Sequence, residues 1–256
     1  MTNIHQIATI VDDAARNAKA IAQFSSGGNA FSLAEAYQIQ NESMKRRTGR
    51  GERIVGVKMG FTSRAKAVQM GVHDLIIGQL TDAMLFEDGA TASLGRFIHP
   101  RIEPEIAFLL KRPLEGRVTL LEAQAAVEAI APALEVIDSR YDNFKFSLED
   151  VVADNCSSSG LVIGAWKKVP DDISNLGMIM SFDGRPVQIG SSAGILGNPY
   201  RSLVSAARLA AQTGAKLEAG RIVMAGAATA AEPLKVGVYV SLEVEQLGCV
   251  ELTAQA

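Results

Sequence analysis

Cysteine and histidine are scarce in this chain. Its 256 residues include two cysteines and three histidines. Cys156 and Cys249 stand far apart, with no metal-ligand spacing between them. A disulfide framework and a thiolate metal site are therefore not expected, and a reducing compartment is the default. No apolar run approaches the roughly 20 residues that a membrane-spanning helix needs. The first stretch, MTNIHQIATIVDDAARNAKA, carries acids where a signal peptide has its apolar core. An excess of one charge is missing too. The formal net charge is −3, which gives no reason to expect nucleic acid or a membrane as partner. Internal repeats and long linkers are absent. The expectation is a soluble cytoplasmic protein.

What is present is ordinary globular material, 48% hydrophobic and 21% charged. That is enough for one well-buried core. We expect a single catalytic domain over residues 1–256, with a helical N-terminal cap over 1–50 and a body over 51–256. In the cap, Ile4, Ile7, Val11, Ala14, Ala18, Ile21 and Ala22 recur at helical spacing. Ser32 and Glu35 make a capping box for a second helix. KRRTGRG then places cations in its last turn, where the helix dipole favours them.

From Arg53 the pattern changes to strands. Residues 54–59 read as a strand with Lys58 inside it. Lys58 either snorkels to the strand end or presents a charge beside the acidic groups described below. Residues 75–80 read as another short strand. Thr119 and Glu122 form a second capping box, which predicts a helix over LLEAQAAVEAIA. VVADN reads as a strand running into a bend of small residues, CSSSG. Asp183-Gly184 signals a hairpin. Asn198 and Pro199 start a helix that runs to Gly214. Residues 238–244 alternate as a half-exposed strand. Periodicity alone gives an α+β class with many short strands.

The chemistry concentrates between His99 and Phe146. Glu103 and Glu105 are two apart in an extended apolar run, so a strand would point both to one face. Adjacent carboxylates raise each other's pKa unless positive charge sits between them. A divalent metal is the simplest candidate, and Glu135, in APALEVID, would close the cluster from a neighbouring strand. The alternative is a solvent-facing edge strand, since glutamate is rarely buried unpaired. Three oxygen donors without cysteine or clustered histidine suit Mg²⁺ or Mn²⁺. His99 is either a ligand or base, or a turn residue before Pro100. Arg140 and Lys145 either meet a second carboxylate of a substrate or form surface salt bridges.

HPRIEPEIAF, LEVIDSRYDNFKF, VVADN and GVKMGFTSRAKAVQMGV resemble the 4-oxalocrotonate decarboxylase and 2-hydroxypentadienoate hydratase family. That family belongs to the fumarylacetoacetate hydrolase superfamily. The resemblance keeps its order from about Leu33 nearly to the C-terminus. It implies a mixed, strongly curved β-roll with outer helices and a helical N-terminal cap. It implies Mg²⁺ or Mn²⁺ at Glu103, Glu105 and Glu135, and a functional Lys58 within the KMG motif. It also places Met70, Gly71, Val72, Ser157 and Thr229 beside the substrate; Asp154, in the matched VADN motif, is the second catalytic candidate, steering protons in the hydratase alternative. The chain departs from the family's GHP at Gly197-Asn198-Pro199, which leaves no histidine there.

The implied reaction is metal-dependent decarboxylation of 2-oxo-3-hexenedioate to 2-hydroxypenta-2,4-dienoate, in meta-cleavage breakdown of aromatic compounds. DSRYDNFKF and ATAAEPL lean toward that branch. One alternative is a hydratase of the dienoate. Another is a 1,3-diketone hydrolase, for which His5 or His99 would have to be the base. A third is a non-catalytic partner subunit. The resemblance implies a 2-oxo dicarboxylate substrate, association with a hydratase, and a homo-oligomer.

Overall fold

The computed structural model describes residues 2–27, 31–62 and 75–256. Helices α1 (Ile4–Arg16) and α2 (Leu33–Gly49) come first. Strands β1 (Ile54–Gly60), β2 (Ile76–Thr81), β3 (Leu85–Phe86), β4 (Thr91–Ser93) and β5 (Arg101–Leu110) follow. A short α3 (Leu120–Ala125) leads into β6 (Val127–Ile137), and α4 (Leu148–Ala153) precedes β7 (Ser158–Ile163). Next come β8 (Gly177–Phe182), β9 (Arg185–Ser191) and α5 (Tyr200–Thr213). The chain ends with β10 (Ile222–Met224), β11 (Glu232–Pro233), β12 (Tyr239–Val244) and β13 (Gly248–Gln255).

The larger sheet runs β2-β1-β10-β5-β6-β7-β3, with β11 also paired to β5. The smaller runs β4-β13-β12-β8-β9. The larger sheet is strongly curled. Leu80, Met84, Ala107, Ala133, Leu161 and Met224, from β2 round to β7, meet in one small apolar cluster on its inner face. Three strand spacings separate β1 from β6, about 14 Å if the sheet were flat. Yet Lys58 of β1 touches Glu135 of β6. The main core covers the outer face and includes residues of the helices and of the second sheet.

Local signals set several boundaries. Both expected capping boxes form, at Ser32–Glu35 and Thr119–Glu122. Asn198 accepts from the Tyr200 backbone N–H at 2.9 Å, and Gly214 closes α5 in the left-handed conformation. Asp183 and Gly184, both at positive φ, turn β8 into β9.

Three expectations are corrected. The first helix ends at Arg16, and Ile21 instead bridges to Tyr141 in extended backbone. The helix expected over LLEAQAAVEAIA stops at Ala125. Its second half becomes β6, pairing with β5 from Val127 onward. A ten-residue neighbour strand satisfies those backbone groups, and burial of Ile130 and Val127 outweighs alanine's helix propensity. Residues 151–153 are helical, not a strand, because Ser147 and Asp150 form a third capping box.

Candidate active site

The β5–β6 ladder builds the acidic cluster. Glu103 sits directly opposite Glu135, and Glu105 opposite Ala133. The two-residue period puts all three carboxylates on the inner face of the curl. One oxygen from each lies within 4.8 Å of the others. Glu105 and Glu135 are fully buried and Glu103 is 8% exposed. The solvent-facing alternative is therefore wrong: the curl turns this face inward.

Such a cluster is costly unless something offsets it. Burial, followed by the charge of Glu135, pushes the Glu105 carboxyl well above the usual range. Burial also raises Glu135, against the opposing pull of Lys58. Lys58 Nζ lies 3.1 Å from Glu135 Oε2 and donates to the Cys156 carbonyl at 3.1 Å. Burial would depress the Lys58 ammonium, but the charges of Glu135, Glu103 and Glu105 reverse this and hold it above its ordinary value. One of its three N–H donors is thereby given to a described hydrogen-bond acceptor, while the Glu135 contact is an ion pair. The Gly226 amide donates to Glu105 Oε2 at 2.8 Å. Gly226 has φ +100°, and a Cβ there would lie 2.3 Å from Thr62 Oγ1, so only glycine can bring that amide in.

Glu105 Oε1 and both Glu135 carboxylate oxygens are buried without a hydrogen-bond partner among the described residues, Lys58 meeting Glu135 as an ion pair. When all three acids are ionised, three negative charges face one positive. The excess matches a divalent cation, and the donors are hard oxygens only. These residues fit a hard divalent metal.

A strained turn supplies the next wall. Asn155, Cys156 and Ser157 all have left-handed φ, at 47°, 54° and 59°. Each such non-glycine residue costs on the order of 1 kcal/mol. The Asn155 side chain holds the turn by exchanging two 2.8 Å hydrogen bonds with the Gln79 backbone. Gly78 makes room, since a Cβ there would meet the Asn155 carbonyl at 2.7 Å. The turn aims the Cys156 carbonyl at Lys58. It also leaves Ser157 Oγ buried and without a hydrogen-bond partner among the described residues.

Lys58, Glu103 and Ser157 line a cavity of about 390 Å³, together with Arg101, Ile137 and Phe144. Asp154 is not on its wall. Burial pushes its carboxyl up to about 6 even though Arg140 opposes this. Its oxygens accept from the Arg140 backbone and guanidinium. Arg140 is thus not available to a substrate; it also donates to the Asp138 carbonyl at 2.6 Å and to Ser159. Thr229 lies against Gly190, while Ala227, Ala230 and Ala231 from the same loop reach the cavity. Met70, Gly71 and Val72 lie outside the described residues. His5 pairs with Glu42 on the exposed side of the cap. The His99 ring packs on Phe144, and its backbone N–H donates to Asp138. Neither histidine lines the cavity. Arg101, not singled out from the sequence, also reaches the cavity wall, and its place two before Glu103 is the signal for it.

No protein-family model matches the chain. It is 58% identical over 245 residues to a 4-oxalocrotonate decarboxylase from Pseudomonas sp., covering 96% of this chain and 95% of that one. The chain belongs to the 4-oxalocrotonate decarboxylase family. A solved 4-oxalocrotonate decarboxylase from Pseudomonas putida G7, complexed with magnesium and adipate, superposes with TM-score 0.95. That match has 37% identity and covers 98% of this chain and 97% of the other. A 2-hydroxyhexa-2,4-dienoate hydratase from Comamonas testosteroni is 34% identical over 92% of this chain and 91% of its own. Solved structures at 12–16% identity share the fold alone, which is fumarylacetoacetate hydrolase-like. The curled sheet and N-terminal helices of this decarboxylase family member are that fold. Among the described residues, no helix is long and apolar enough to cross a membrane.

Proposed function

We propose that the protein decarboxylates 2-oxo-3-hexenedioate to 2-hydroxypenta-2,4-dienoate, with Mg²⁺ or Mn²⁺ held by Glu103, Glu105 and Glu135. The observation that carries this reading is the buried carboxylate triad beside Lys58. The family relationship supplies the substrate class. The relative solved with magnesium holds adipate, itself a saturated six-carbon diacid.

When bound, the metal supplies a Lewis acid for the 2-oxo acid end of the substrate. Glu103, Glu105 and Glu135 would hold it. Loss of the distal carboxylate as CO₂ sends its electron pair through the conjugated chain toward the C2 oxygen. Lys58 lines the cavity, with its ammonium beside Glu135 and the Cys156 carbonyl. It is placed to stabilise that developing charge better than the ground state. Lys58 acts here as a cation and not as a Schiff base, its ammonium being engaged by Glu135 and the Cys156 carbonyl. The Ser157 hydroxyl, without a hydrogen-bond partner among the described residues, offers a hydrogen bond to the substrate. Asp154 acts through the turn it anchors.

The test is a paired assay. Purified protein with Mg²⁺ receives 2-oxo-3-hexenedioate while CO₂ is followed, then 2-hydroxypenta-2,4-dienoate while its absorbance is followed. Metal-dependent CO₂ release with the dienoate left intact is the expected result. Consumption of the dienoate without CO₂ from the diacid would replace this reading with a hydratase. Handover of product to a hydratase partner and self-association belong to the same proposal. Co-purification and sedimentation test them.

A further inference from the structure

Arg101 begins β5, two residues before Glu103 and four before Glu105. The strand period puts it on the inner face with them, about 7 Å along from Glu103. Ile137, opposite Arg101 in the ladder, lines the same cavity. Among the described residues on that wall, Lys58 and Arg101 are the only cations. Lys58 is taken by Glu135 and the Cys156 carbonyl. Arg101 makes no ion pair with any described carboxylate. Its guanidinium instead lies 4.7 Å from the centre of the Phe144 ring. Phe144 is held there in left-handed backbone, φ 59°, next to Asn143 at φ 56°. Two strained residues thus seat an aromatic face beneath a guanidinium that pairs with no described carboxylate, on the same cavity wall as Glu103.

We infer that Arg101 is the specificity residue that binds the distal carboxylate of the substrate. This rests on the decarboxylase reading and adds the group that distinguishes a diacid from a monoacid. A 2-oxo acid engaged at the triad extends along β5, and a six-carbon chain spans roughly the two residues to Arg101. The planar guanidinium leaves its edge free for a bidentate carboxylate while one face rests on Phe144. The distal carboxylate is also the group that leaves. It loses charge as CO₂ forms, so a cation beside it favours the bound ground state at least as much as the transition state. Arg101 therefore acts on KM and not on kcat.

The test uses two non-reacting acids with the same metal-binding end, 2-oxoadipate and 2-oxohexanoate, which differ in the distal carboxylate. With Mg²⁺ present, the wild type should bind the diacid about tenfold or more tightly, as expected for one charge-assisted bidentate pair. Arg101→Gln should bind both equally. For the reacting diacid its KM should rise about tenfold while kcat does not fall. Preference retained in Arg101→Gln would overturn the inference, as would a wild type that does not discriminate. The wild-type comparison stands even if the variant fails to fold. Binding is read without turnover, so absence of CO₂ release would count against the decarboxylase reading alone.

Discussion

Lys58→Met takes the ammonium away from Glu135 and keeps much of the side chain's volume. The wild-type pair is 3.1 Å apart and buried on both sides. Breaking such a pair from one side costs about 3–5 kcal/mol when the remaining charge must stay. Here Glu135 can take up a proton. Holding a carboxyl of ordinary value 4.5 protonated at pH 7 costs about 3.4 kcal/mol, at 1.36 per unit. That is the ceiling for the metal-free variant. Burial and Glu103 already raise Glu135 in the wild type, so part of the cost is common to both. The net loss should be about 1–3 kcal/mol.

The sign follows from proton binding. In the folded variant Glu135 has a pKa above its unfolded value, so folding takes up a proton between the two. The penalty is absent below about pH 4.5, grows as pH rises, and levels off above the folded pKa. At about 2–4 °C per kcal/mol for a chain of this size, Tm at pH 7 in EDTA should fall by roughly 2–12 °C. The gap should narrow at pH 5. Thermal unfolding followed by circular dichroism at both pH values measures it. Equal Tm values at pH 7, or a gap that widens on acidification, would refute the argument. The same variant should lose about 10²–10³-fold in kcat, as when one transition-state donor is removed. Its metal affinity should hold or rise, because a like charge has gone.

Glu105→Gln removes a buried anionic donor and should weaken Mn²⁺ binding by about 10²-fold in calorimetry; unchanged affinity would place the metal elsewhere. Ser157→Ala deletes a buried hydroxyl that has no described partner. The metal-free protein should be as stable or up to about 1 kcal/mol more stable, while KM for the diacid rises; a stability loss above about 2 kcal/mol would show that the hydroxyl has a structural role. Gly226→Ala forces a Cβ toward Thr62 at positive φ, and denaturant titration should show a loss of about 2 kcal/mol or more, with weaker metal binding as the Glu105 amide shifts.

Much of this protein is legible from neighbouring residues alone. The Glu-x-Glu spacing puts two carboxylates on one face. Ser32–Glu35, Thr119–Glu122, Asp183-Gly184, Asn198 and Gly214 mark element ends, because caps and turns are made within a few residues. The ordered motifs around them were enough to place the chain in its family. Other features depend on partners distant in sequence. Residues 127–131 are a strand because β5 lies beside them, and the β5–β6 register alone sets Glu135 opposite Glu103. Only the curl brings Lys58 across three strand spacings to Glu135 and turns the acidic face away from water. Arg140 and Arg101 look alike in sequence. Arg140 is buried against Asp154, while Arg101 lines the cavity and pairs with no described carboxylate. Long-range packing makes that distinction, and no local pattern encodes it.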